Sequence, residues 1–128
     1  MKKVINLISL ALLVAIISSC GKDKENPTIV LNSPAMHSHH TNGTNISMDA
    51  TLEDDKELAS YHMHIGDVDG NHDMAFPWEE SGNIDGKSFT LTSSTTIPNG
   101  LSGMYYIHIM VTDAEGKTTE SSTMIHVD

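Results

Sequence analysis

The sequence predicts an all-β protein, an antiparallel β-sandwich of about seven strands, and three observations lead there. Apolar and polar residues alternate with a period of two through several windows of nine to eleven residues. No window holds a long apolar repeat of 3.6 residues, the signature of a core helix. Turn-forming clusters, "NSP", "HTNGTN", "EDD", "DVDGN", "SGNIDG", "IPNGLSG" and "DAEGK", separate the windows.

The elements follow in chain order. Lys2 and Lys3, an apolar run from Val4 to Ile17 and small residues before Cys20 describe a secretory signal peptide over residues 1–19. The apolar part is short for a bilayer span. Ile17-Ser18-Ser19-Cys20 resembles the lipobox of bacterial lipoproteins, which implies that Cys20 is lipidated and held in a membrane by its acyl chains. A plain secreted protein with a free terminal cysteine is the alternative. Cys20 is the only cysteine, so no thiol is left for a disulfide, a catalytic thiolate or a metal–sulfur bond. Residues 20–27 read as the lipidated cysteine and a short charged tether, and 28–128 as one domain. Position 21 is glycine rather than aspartate, which by the same resemblance implies the outer membrane. The run Lys22-Asp23-Lys24-Glu25 is similar to the export signal of Bacteroidetes surface lipoproteins, which leaves periplasmic and cell-surface exposure both open.

Within the domain, "TIVL" at 28–31 is a β-rich run that "NSP" stops. In 45–53, Ile46, Met48, Ala50 and Leu52 share one face. In 58–66, Tyr61, Met63 and Ile65 point one way, His62 and His64 the other. A seventh strand is expected near 74–80, and 87–97 follows with Phe89 and Leu91 inward. Residues 103–113 turn Tyr105, Ile107, Ile109 and Val111 inward, leaving Met104, Tyr106, His108 and Met110 outward. Residues 118–127 turn Thr123, Ile125 and Val127 in and Ser122, Met124 and His126 out.

Three of these segments carry a resemblance. "PTIVLNSP", "LEDDKELASY" and "IPNGLSGMYYIHIMVTDAEGKTTESS" resemble immunoglobulin-like modules of bacterial surface proteins. The span from Cys20 to Asp128 is similar to a Bacteroidetes lipoprotein family known only as domain of unknown function 4625, with its tether, acidic turn before a Ser-Tyr strand, histidine-rich loop, tryptophan and Gly-x-Tyr strand. That resemblance implies an immunoglobulin-like fold and an envelope address, and no activity.

In an immunoglobulin order of strands, 58–66, 103–113 and 118–127 are neighbours in one sheet. Their outward faces then make one surface, carrying His62, His64, His108, His126, Met110 and Met124. The loop with His37, His39 and His40 and the loop with Asp67, Asp69, His72 and Asp73 lie at one end of it. Histidines at i and i+2 stand roughly 7 Å apart on one face, with neighbouring strands about 4.8 Å away, so imidazoles can lean toward a shared ion. The favoured ligands are His62, His64, His72, His108 and His126, with Met110 as a softer one and His37, His39 and His40 of the adjoining loop completing the candidate set. Asp67, Asp69 or Asp73 would orient the rings through the second imidazole nitrogen. Without thiolate, imidazole and thioether point to zinc or copper.

Other readings compete. The outward histidines also suit a solvated strand face, and "MHSHH" at 36–40 suits adventitious metal binding by a loop. Met48 and Met63 read as core filler. Trp78 reads as cover for a sheet edge, or as a sugar contact. "DVDGNHD" lacks the regular oxygen spacing and late glutamate of a calcium loop. Glu53, Asp54 and Asp55 with Asp113 and Glu115 would gather at the opposite end, first as a solvated turn and second as a calcium site. No nucleophile elbow or phosphate-cradling glycine loop is present, so the chain is not expected to be an enzyme. With no arginine, and five lysines against 17 acidic residues once Lys2 and Lys3 leave, nucleic acid is excluded as a partner. The expected class is a lipid-anchored metal-binding envelope protein, and the alternative is an adhesion or accessory module contacting protein or glycan.

Overall fold

The computed structural model describes residues 21–128, so the signal peptide and Cys20 lie outside the described residues. Eight strands form two sheets: β1 (Thr28–Ser33), β2 (Ser38–His40), β3 (Asn45–Glu53), β4 (Leu58–Gly66), β5 (Glu79–Asn83), β6 (Ser88–Thr96), β7 (Gly103–Asp113) and β8 (Thr118–Val127). One sheet has the order β1-β3-β6, the other β2-β8-β7-β4-β5. The all-β sandwich read from the sequence is the observed architecture, with one strand more.

Alternation along the strands builds the core between the sheets, because successive side chains point to opposite faces. Ile46, Met48, Ala50 and Leu52 of β3 meet Met63 and Ile65 of β4, Ile107, Ile109 and Val111 of β7, and Ile125 and Val127 of β8, all buried. Met48 and Met63 are fully buried core side chains, as expected. Each large apolar side chain removed from water contributes roughly 1.5–3 kcal/mol.

Two elements depart from the sequence reading. The histidine tract at 37–40 is no free loop: Ser38–His40 forms β2, which lies parallel to the end of β8. The chain leaves the first sheet after β1, buries Pro34, and joins the edge of the second. The seventh strand falls at Glu79–Asn83, not at 74–80, and pairs with β4 from Ser60↔Asn83 to His64↔Glu79. The segment before it is a loop, 67–78, anchored in the core by Phe76. That ring is buried and meets Tyr105 edge-on at a centroid distance of 6.0 Å. Trp78 packs partly buried against the core.

The acidic stretch before β1 is not a free tether along its length, since Asp23 and Pro27 are buried. Phe76 ties loop 67–78 to the sandwich, so Phe76→Ala is expected to lower the free energy of unfolding by about 3–5 kcal/mol in urea denaturation. A loss under about 1 kcal/mol would show that the ring does not hold the core.

Candidate metal centre on the second sheet

The register of four strands sets the site. Across β5, β4, β7 and β8, one outward row reads Ser81, His62, Met110 and Glu120, and the next reads Glu79, His64, His108 and Ser122. His62 and Met110 are direct cross-strand partners, as are His64 and His108. These residues sit on the second sheet's outer face because Met63, Ile65, Ile107 and Ile109 occupy the inner one.

Loop 67–78 folds back over this block. The Asp67 carboxylate accepts the backbone N–H groups of Asp69 (2.9 Å) and Asn71 (3.0 Å) and the Asn71 side-chain amide (2.9 Å), which closes a tight turn. Gly70 takes a φ of 84°, a left-handed conformation that favours glycine. At Gly66 a β-carbon would collide with the carbonyl of Asn71, so the loop's close return requires glycine there. Asp73 caps the next turn, accepting from the N–H groups of Ala75 (2.7 Å) and Phe76 (3.1 Å).

The returning loop places His72 face to face with His64, at a ring-centroid distance of 4.2 Å and an interplanar angle of 15°. His64 also stacks with His108 at 5.0 Å, and His62 lies 5.5 Å from His64. One nitrogen from each of His62, His64 and His72 lies within 4.8 Å of the other two. Nitrogens bound to one tetrahedral zinc ion are about 3.4 Å apart, so closure needs movements of no more than about 1.5 Å. His72 stands exposed on the loop and is the imidazole of the three best placed to move. A depression of about 160 Å³ beside them is lined by His62, His64, Asp69, Gly70, His108, Met110 and Glu120.

Hydrogen bonds orient the rings. His64 donates from Nε2 to the carbonyl of Gly70 (2.9 Å), which leaves Nδ1 as its lone-pair nitrogen. His108 likewise donates from Nε2 to the carbonyl of Asp67 (2.7 Å). Nδ1 of His62 meets the Ser81 hydroxyl at 2.7 Å, and Nδ1 of His72 faces Glu79 at 3.9 Å. The expectation that the carboxylates of Asp67, Asp69 or Asp73 orient the imidazoles is therefore corrected. Backbone carbonyls hold His64 and His108, because the carboxylates of Asp67 and Asp73 are occupied by backbone amides of their own turns. Asp69 stands beside the rings as a lining residue.

The structure divides the nine expected ligands. His62, His64, His72, His108 and Met110 gather in one block. His126 pairs with Met104, two rows beyond His108, about 13 Å along the sheet. There it stacks with His39 at 4.8 Å and His37 at 5.8 Å, forming a second group that Asp128 joins through Nδ1 of His39 (2.9 Å). His40 pairs instead with the Ser38 hydroxyl. Glu79 and Glu120 border the first block and are absent from the sequence reading. Glu120 was accessible by extending the outward alternation of β8 back one step from Ser122. Glu79 was not, because it depends on the register of a strand without apolar residues.

Burial pulls His64 below its ordinary pKa of 6.5; the Gly70 carbonyl opposes this, and repulsion from His72, His108 and His62 adds to it. His40 is also lowered, by burial first and then by His39. Both rings are thus held neutral in the fold, the state that binds metal. Because the unfolded chain binds these protons more readily, stability is complete above about pH 6.5 and falls as pH drops through that value toward the lower folded pKa. The lowered carboxylates Asp23 and Asp67 act in a separate window, below 3.8. The urea midpoint is expected to fall between pH 7 and pH 5, with a smaller fall in His64→Gln. A midpoint flat over that range would contradict the neutral, partly buried imidazoles.

Comparisons with known proteins bear on the fold. Fibronectin(III)-like modules of CbhA from Clostridium thermocellum superpose with a TM-score of 0.55 at 17% identity, over 79% of this chain and 46% of that one. Wild-type OgpA from Akkermansia muciniphila gives 0.57 at 16% identity, over 80% and 29%. Catalytically inactive OgpA in complex with an O-glycopeptide substrate gives 0.55 at 15%, over 80% and 29%. The chain thus spans less than half the length of each, and the likeness is one of fold. No curated protein matches the sequence. Residues 17–128 match the family described as Domain of unknown function (DUF4625), and the chain belongs to that family.

Proposed function

We propose that this protein is a non-catalytic module, lipid-anchored through Cys20 in the outer membrane and facing the periplasm or the cell exterior, that binds a transition metal on its histidine face. The observation that carries the reading is the convergence of His62, His64 and His72, two from one strand and one from a loop that returns over it. Three imidazoles without a thiolate suit zinc or copper, and the adjacent Met110 thioether favours reduced copper as the alternative ion. His108 completes the block as a stacking partner of His64 and a fourth nitrogen donor. Capture, buffering or delivery of the ion is the role that an open surface site supports. The anchor rests on Ile17-Ser18-Ser19-Cys20.

A second reading, an accessory module contacting protein or glycan, is favoured by the size of the matched structures, in which the shared sandwich is a part of a longer chain. One of them is a complex with an O-glycopeptide, and Trp78 would be the aromatic contact for a sugar here.

Titration of the purified protein with zinc and with copper, followed by calorimetry and thermal unfolding, separates the two. One equivalent is expected to bind, and at a hundredfold excess over Kd to add about 2.7 kcal/mol of stability, on the order of 10 °C in Tm. His64→Ala and His72→Ala should abolish the response, and His126→Ala should leave it intact. Equal weak binding by wild type and His64→Ala would remove the metal reading and leave the accessory one.

A further inference from the structure

The opposite end of the sandwich carries a second constellation built on other chemistry. The β3–β4 turn, the β7–β8 turn and the segment 21–27 meet there, bringing together Asp54, Asp113 and Asp23, which are 8%, 1% and 5% exposed. One carboxylate oxygen from each lies within 4.8 Å of the other two. The sequence pattern gathers the two turns at one end; burial selects Asp54 and Asp113 from the acidic residues there and adds Asp23.

In each aspartate, one oxygen accepts backbone N–H groups and the other accepts no hydrogen bond, although Asp113 Oδ2 lies 3.4 Å from Lys117 Nζ. Asp54 Oδ2 accepts from the N–H groups of Lys56 and Glu57, both at 2.8 Å. Asp113 Oδ1 accepts from those of Glu115 (2.9 Å) and Lys117 (2.8 Å). Asp23 accepts on Oδ1 from the N–H of Glu25 at 3.0 Å. The remaining oxygens, Asp54 Oδ1, Asp113 Oδ2 and Asp23 Oδ2, are buried with no hydrogen-bond partner among the described residues. Such atoms are costly unless a cation meets them.

Lys117 meets part of the charge. Its Nζ stands 2.9 Å from Asp23 Oδ1 and 3.4 Å from Asp113 Oδ2, and also donates to the carbonyl of Glu25. Asp54 has no ion pair among the described residues. One ammonium against these three carboxylates leaves two negative charges, to which Asp55 beside Asp23 adds a further one, and a divalent cation offsets the two. The donors are all oxygen, which selects a hard ion over zinc or copper. Three oxygens spread evenly around one calcium ion at about 2.4 Å are about 4.2 Å apart, so carboxylate oxygens within 4.8 Å of one another reach a single ion with shifts of about 0.4 Å or less, and water completes its shell.

We propose that Asp23, Asp54 and Asp113 form a calcium site that clamps segment 21–27 onto the β3–β4 and β7–β8 turns. This site is independent of the histidine face. It makes the docking of the N-terminal segment, and not only the stability of the sandwich, depend on the ion.

Trypsin reads the clamp directly, since Lys22 and Lys24 flank Asp23. Purified protein treated with EGTA is compared with protein in 5 mM calcium chloride, and in 5 mM magnesium chloride, by calorimetry, thermal unfolding and mass spectrometry of the trypsin fragments. Calcium is expected to bind with one equivalent, to raise Tm by roughly 5–10 °C at saturation, and to slow cleavage at Lys22 and Lys24 about tenfold or more. Asp54→Asn keeps a turn-capping oxygen and removes the charge; it should lose all three effects, whereas His64→Ala should keep them. If wild type shows no binding heat, no Tm shift and unaltered cleavage with calcium, Lys117 alone balances the cluster and the proposal is overturned. A stronger response to magnesium than to calcium would overturn the choice of ion.

Discussion

The register between β4 and β7 is the constraint on which both core and histidine face depend. With His64 opposite His108 and His62 opposite Met110, the alternate positions Met63, Ile65, Ile107 and Ile109 all turn inward. A slip of one residue in either strand would exchange faces, burying imidazoles and exposing isoleucines. Burial of four large apolar side chains therefore holds the imidazole block in place, although none of those side chains touches solvent. The face is positioned by what lies behind it.

Loop 67–78 adds the one imidazole of the three-histidine cluster that the strands do not supply. Its path is fixed at both ends, by the Asp67 turn and the close pass over Gly66 near the start and by Phe76 in the core near the end. Between these, His72 remains exposed. A rigid pair on a strand with a third donor on a fastened yet exposed loop allows small adjustments of geometry without disturbing the core. The same loop supplies the carbonyls that set the tautomers of His64 and His108.

Much of this was legible in the sequence where alternation is unbroken. The bounds of 45–53, 58–66, 103–113 and 118–127 coincide with β3, β4, β7 and β8 because each has a run of inward apolar residues with polar partners between. Where pairing alone makes the strand, the signal fails. β2 is three residues without alternation, held by β8, and "EESGN" of β5 has no apolar residue and follows the register of β4. The shared face of the histidines was legible, but not their division. Parity gives the side of a sheet; distance along it requires the register, which puts His126 beside His39 and away from His108. Asp23 was hidden for another reason: a charged residue between two lysines reads as solvated, and only the convergence of two distant turns buries it.

The burial of Asp23 also sets a geometry. Position 20 precedes it by three residues, a span of at most about 11 Å, whereas eight free residues up to Thr28 would reach almost 30 Å. With Asp23 seated, an attachment at position 20, as proposed for Cys20, would keep the carboxylate pole within about 11 Å of it. Releasing the whole segment, Pro27 with Asp23, lengthens the leash nearly threefold. Under the proposed anchoring at Cys20, the acidic pole sets how far from that anchor the sandwich can stand.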